Sequence, residues 1–107
     1  MSRLKGPQQS ANPEVGKAYN RIVTNPHSTE LAKAIERLLE NDWRAAHAIV
    51  QDLDDPIAWR IHGLVHRLEG DLANSRYWYG KAGVTLDRAR SVEDEINELR
   101  DALARAR

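Results

Sequence analysis

The sequence predicts an all-α fold, with two stacked helical hairpins followed by a C-terminal helix that caps one end. The main observation is a segment that ends one helix and begins the next, which occurs twice, 29 positions apart, at 39–43 and 68–72. Apolar residues recur three and four positions apart on either side of these segments, which is the spacing of one helix face. A repeat of this length is typical of a supersecondary unit stacked on its own copy, and 107 residues suffice for one modest core.

The first hairpin is predicted over residues 28–53. A hydroxyl of Ser28 or Thr29 can cap its first helix. Asn41 stands where that helix must end, because Asn is one of the few residues other than Gly that tolerates a left-handed backbone. Asp42 follows directly and is placed to cap the second helix.

The second hairpin is predicted over residues 56–83. Asp55 can cap its first helix, and Pro56 suits the first helical position because the amide hydrogen there has no partner within the helix. Gly70 and Asp71 then repeat the stop and start of the first hairpin. Two stop-and-start pairs in the same register support a genuine structural repeat.

Regions of different character flank the hairpins. Residues 91–106 are predicted as a terminal helix capped by Ser91, and its narrow apolar stripe fits either a helix that closes the stack or a short self-association seam. Residues 1–27 contain three prolines and two glycines and are predicted to be a largely irregular arm, with a short helical turn around residues 14–23 as the alternative. Residues 28–107 then form a single helical-repeat domain.

Composition narrows the classes of function. Sixteen basic residues balance sixteen acidic ones, so no net field attracts nucleic acid or an anionic membrane, and we expect neither as a partner. The absence of cysteine excludes disulfides and thiolate zinc sites. The sequence contains no signal peptide and no apolar run of membrane-spanning length, so we expect a cytoplasmic protein.

The second unit carries a recognisable set of small and aromatic positions, namely Trp59, His62, Gly63, His66, Gly70, Ser75, Tyr79 and Ala82. In this spacing it resembles the tetratricopeptide repeat, with His62 and His66 in place of the family's Leu and Tyr. The first unit resembles that family less, and its spacing is shorter than the usual 34 residues. The resemblance covers about residues 28–83 and implies stacked hairpins with a binding face on the first helices. The run 66–83 also resembles a small bacterial family of uncharacterised proteins, which implies no activity.

A candidate partner-binding surface lies on the third helix. Arg60 and Arg67 are seven positions apart on one face together with Leu64, and in the tetratricopeptide family such positions line the concave surface. Two guanidinium groups over an aliphatic floor suit an acidic peptide segment. The alternative is a solvated stripe or ion pairs with the acidic residues at 52–55. Tyr77 is expected to be at least partly exposed and is a further candidate contact.

Four side chains form a candidate metal site. His62 and His66 project from the same face of one helix, Glu69 lies one turn further along, and His47 belongs to the preceding helix. Imidazole and carboxylate are good zinc ligands. The alternative is that both histidines pack inside the hairpin. A zinc-protease motif would require Glu directly after the first His, and Gly63 stands there.

The sequence contains no catalytic set, because no Gly-rich phosphate loop and no nucleophile elbow are present. We therefore predict a non-catalytic interaction module that needs no cofactor and binds a peptide or protein, or forms a homodimer. One alternative is a zinc-binding protein or metal-dependent enzyme that uses the histidines. The other is a structural homo-oligomer subunit.

Overall fold

The computed structural model describes residues 25–105, and this part of the chain contains five α-helices joined by short connections. They are α1 (Ser28–Leu39), α2 (Trp43–Val50), α3 (Pro56–Glu69), α4 (Leu72–Lys81) and α5 (Val92–Arg105). The predicted all-α class is thereby confirmed. Residues 1–24 of the predicted N-terminal arm lie outside the described residues. Position 106, at the predicted end of the last helix, lies outside them as well. Within 25–105, no helix combines the length and apolar character needed to cross a membrane.

Aspartate side chains begin three of the helices, as their sequence positions predict. Asp42 accepts a hydrogen bond from the backbone of Ala45 at 3.2 Å, and Asp71 repeats this contact at the start of α4. Asp55 accepts from the amides of Ile57 and Ala58 at 2.8 and 3.2 Å. Each carboxylate therefore satisfies amide hydrogens that have no partner inside the helix.

The start of α1 differs from the prediction. Its N-cap is His27, and no side chain caps the helix, so neither Ser28 nor Thr29 has the predicted role. Asn25 organises this segment instead, because its side chain accepts from the amide of His27 at 2.8 Å and donates to Asp55 at 2.9 Å. Asn25, just before α1, is thus attached to the start of α3.

Left-handed residues end the first helix of each hairpin. Asn41 has φ 62° and Gly70 has φ 88°. Beyond each of them the next amide reaches back to a carbonyl five residues earlier, Asp42 to Arg37 at 2.8 Å and Asp71 to His66 at 2.9 Å. This is the Schellman closure, and it turns the chain sharply into the next helix.

The core lies around α3, which packs against α1, α2, α4 and α5. Ile61, Leu64 and Val65 of α3 are almost completely buried. At the crossing with α4, Gly63 lies under the ring of Tyr79, and the hydroxyl of Ser75 donates to the Gly63 carbonyl at 2.7 Å. The absence of a side chain at Gly63 lets the two helices approach closely.

The last helix covers a side of the bundle formed by α1 and α3. Its apolar stripe, Ile96, Leu99 and Leu103, is buried against both helices. Acidic residues in its first turns face the basic side chains of α3. This position of α5 decides which surfaces of α3 remain accessible.

Candidate metal centre

Three histidines converge where α2 packs on α3. His62 and His66 lie one turn apart on α3, and His47 faces them from α2. The Nε2 atoms of His47 and His62 are 3.1 Å apart, and one ring nitrogen from each of the three residues lies within 4.8 Å of the other two. We call these three residues the histidine triad. The sequence prediction included all three, His62 and His66 by their spacing and His47 by its place on the preceding helix, and the packing of α2 on α3 brings their rings together.

Aromatic packing holds the rings of the triad in place. The indole of Trp78 on α4 stacks on His62 with 3.9 Å between ring centroids and 11° between planes. His66 stacks on His62 at 4.9 Å, and His47 meets His62 edge-on at 4.7 Å. The sequence did not predict this contact, because no local spacing relates α4 to the middle of α3.

Glu69 orients one member of the triad. The Nδ1 atom of His66 is hydrogen-bonded to the Glu69 carboxylate one turn along α3. An imidazole that donates from Nδ1 keeps its lone pair on Nε2, which is the nitrogen that can then bind a metal. Histidines that bind metals typically donate their other ring N–H to a carboxylate in this way, which fixes the orientation of the ring. Glu69 therefore lies where it positions His66. The sequence predicted Glu69 as a ligand and did not predict this role.

His62 is the most buried member of the triad, with 6% of its surface exposed. Burial is the main cause that lowers its pKa from 6.5 to about 4, and the neighbouring His47, His66 and Lys81 lower the pKa further, while Glu69 opposes them. The ring is therefore neutral at physiological pH. Neutral imidazole is the form that binds a metal ion.

A second group of possible ligands adjoins the triad. His66, Glu69 and Asp71 offer ligand atoms within 4.8 Å of one another. The Asp71 carboxylate already accepts from the backbone amide and the side-chain amide of Asn74, and these hydrogen bonds lower its pKa. Its oxygens hold the start of α4, so the group is less free to bind an ion than the three imidazoles are.

The predicted partner-binding face is not an open groove in this structure. Leu64, which the prediction placed on its floor, has no exposed surface. Arg60 is hydrogen-bonded to Glu98, and Arg67 donates to Glu95 at 3.0 Å. The expectation of an accessible face is therefore corrected, because α5 lies across it.

The ion pairs of Arg60 and Arg67 also differ from those that the sequence suggested as an alternative. The aspartates at positions 52, 54 and 55 precede α3, but the guanidinium groups of Arg67 and Arg60 bind carboxylates of α5 that lie 28 and 38 positions away. Glu98 also pairs with Arg90 at 2.9 Å, and hydrogen bonds from Arg90 and Arg60 lower its pKa to about 2. Glu95 is 5% exposed, so its pair with Arg67 is largely withdrawn from water.

Tyr77 is exposed over 59% of its surface, as expected. Its ring meets Trp78 edge-on at 5.1 Å, and Trp78 in turn stacks on His62. Tyr77 is thus linked through Trp78 to the histidine triad.

Comparisons with known proteins found no match: no family model, no curated protein and no solved structure is similar to this chain. The likeness to the tetratricopeptide repeat therefore rests on the quoted residues alone.

Proposed function

We propose that this protein binds a divalent transition-metal ion, Zn²⁺ above all, through His47, His62 and His66. The observation that carries the proposal is the convergence of three imidazole nitrogens from two helices within 4.8 Å. Imidazole suits zinc and other late first-row metals, and the described residues contain no cysteine that would favour a thiolate site.

The spacing of the ring nitrogens supports zinc. Zn–N bonds of about 2.0–2.1 Å in a tetrahedral arrangement place two ligand nitrogens about 3.3 Å apart. The Nε2 atoms of His47 and His62 are 3.1 Å apart, close to that separation. Without an ion, one of these two rings must donate a hydrogen to the other. With an ion, both lone pairs would be given to the metal, and His66, one ring nitrogen of which lies within 4.8 Å of the other two residues, would supply the third ligand.

The geometry favours this role over the interaction module predicted from the sequence. An acidic partner at Arg60, Leu64 and Arg67 would have to displace α5, whose Glu95 and Glu98 already bind the two guanidinium groups. The triad requires no such rearrangement.

Zinc titration of the metal-free protein by isothermal calorimetry at pH 7.4 tests the proposal. We expect one ion per chain, and we expect His47→Ala or His66→Ala to weaken binding by at least about 100-fold through loss of a ligand. His27→Ala is the matched control, because His27 lies outside the triad, before α1, and should leave the affinity unchanged. Circular dichroism verifies that each variant is folded. Equal affinity of wild type and His47→Ala would refute the proposal.

The Glu69→Gln variant tests the geometry of the site more finely. The amide can still accept a hydrogen bond but carries no charge, so the variant should bind zinc about 10-fold more weakly with unchanged stoichiometry. Glu93→Gln, an exposed change on α5, should have no effect.

A further inference from the structure

We infer that the metal ion at the histidine triad keeps one coordination position for an exogenous small carboxylate, whose charge Lys81 meets. The inference rests on the proposed metal binding and extends it to a class of ligand.

The number of donors leaves one position unfilled. Within residues 25–105, the group around His47 and His62 contains three ligand residues and no fourth. Glu69 is bound to His66, and Asp71 is bound to Asn74. Zinc held by three protein ligands characteristically completes its tetrahedron with water or with a bound molecule, whereas structural sites have four protein ligands.

The charge of the site favours an anion at that position. Three neutral imidazoles bring no negative charge to the ion, and the Glu69 carboxylate acts on it only through His66, in a place where His62 is nearly excluded from water. A carboxylate oxygen is a good zinc ligand and would offset one of the two positive charges of the ion.

Two members of the triad remain in contact with water. α2 and α4 both pack on α3, but their backbones do not contact each other. His62 lies beneath the indole of Trp78 on α4, whereas His47 and His66 are only half-buried. A small molecule would therefore meet the site at His47 and His66 rather than at His62.

Lys81 supplies a positive charge beside the triad. Its Nζ lies 4.8 Å from the ring of Trp59 and 5.1 Å from that of Trp78, the indole that stacks on His62. None of the ion pairs formed in the described part of the chain involves Lys81. The charge of Lys81 acts on His62, whose pKa it lowers, and no ion pair of the described residues offsets it.

Cobalt substitution tests the inference, because Co²⁺ replaces zinc and its visible absorption reports changes among its ligands. The Co²⁺-loaded protein is titrated with acetate, with neutral acetamide as the chemical control. We expect acetate, but not acetamide, to shift the spectrum saturably. Lys81→Gln should weaken acetate binding by about 3- to 10-fold while Co²⁺ affinity is unchanged, and Lys33→Gln on α1 is the matched control. A dipeptide with a free or an amidated C-terminus shows whether a peptide carboxylate enters equally.

The outcomes separate the two proposals. A spectrum that acetate does not change, in protein that binds Co²⁺ at the triad, would overturn the inference and leave metal binding intact. The same acetate affinity in wild type and Lys81→Gln would remove the role of Lys81. Protein that takes up neither Co²⁺ nor Zn²⁺ would overturn both.

Discussion

Protonation of His62 should destabilise the metal-free protein as the pH falls. The pKa of this ring is about 4 in the folded chain and about 6.5 when it is unfolded, because folding buries it beside His47, His66 and Lys81. The unfolded state therefore takes up the proton first. The contribution of the neutral ring to stability is fully present above pH 6.5 and is lost as the pH falls from 6.5 through about 4.

The size of the effect follows from these two pKa values. At pH 4.5 the unfolded state is almost fully protonated at this position, whereas most of the folded state is not, and linkage gives a loss of about 2.5 kcal/mol relative to pH 7.5. That is a large part of the stability of a small domain. Glu98 has a pKa of about 2, so most of its contribution to the free energy of unfolding is lost only at lower pH.

Urea denaturation in the presence of a chelator measures this loss. Between pH 7.5 and 4.5 the wild-type midpoint should fall by about 1–2 M more than that of His62→Gln, which keeps a polar side chain but does not titrate. His27→Gln should behave as wild type. If wild type and His62→Gln lost the same free energy of unfolding over this range, the reasoning about His62 would be wrong.

Three further predictions concern the fold and can be checked by urea denaturation at pH 7.5. Gly63→Ala should destabilise by about 1–2 kcal/mol, because its Cβ would lie 3.1 Å from the buried Tyr79 ring; Gly80→Ala, which meets nothing within 4 Å, should stabilise by about 0.5 kcal/mol. Equal effects of the two would contradict this account of the α3–α4 contact. Asp55→Ala should cost about 1–2 kcal/mol through loss of the α3 cap, and a neutral result would mean that water replaces the carboxylate. Glu95→Ala should cost about 2 kcal/mol by removing the carboxylate partner of Arg67, which keeps only its hydrogen bonds to the carbonyls of Arg88 and Arg90; a loss below about 1 kcal/mol would show that those carbonyls and water replace the carboxylate.

The four side chains of the candidate site were predicted from the sequence, but only part of their arrangement was. The four-residue spacing of His62 and His66 requires only that they share a helix, and Glu69 one turn later follows from the same geometry. The contact with His47 depends on how α2 packs on α3, and the stack with Trp78 depends on α4. Neither contact has a local signal, because its two residues lie on different helices 15 or 16 positions apart.

The sequence by itself determined where most helices begin and end. Asp42, Asp55 and Asp71 cap their helices, and Asn41 and Gly70 end theirs, because these interactions join residues only a few positions apart. At the start of α1 the same reasoning failed, since Asn25 is tied to a residue of the next hairpin.

Only the tertiary structure decided which face of α3 is accessible. The spacing of Arg60, Leu64 and Arg67 places them on one face of a helix. It does not show whether that face contacts solvent or another helix. That face is covered because α5 returns across it and brings Glu95 and Glu98 to the two guanidinium groups. Hydrophobic burial and ion pairing are non-local forces, so the partner that satisfies a helix face depends on the path of the whole chain.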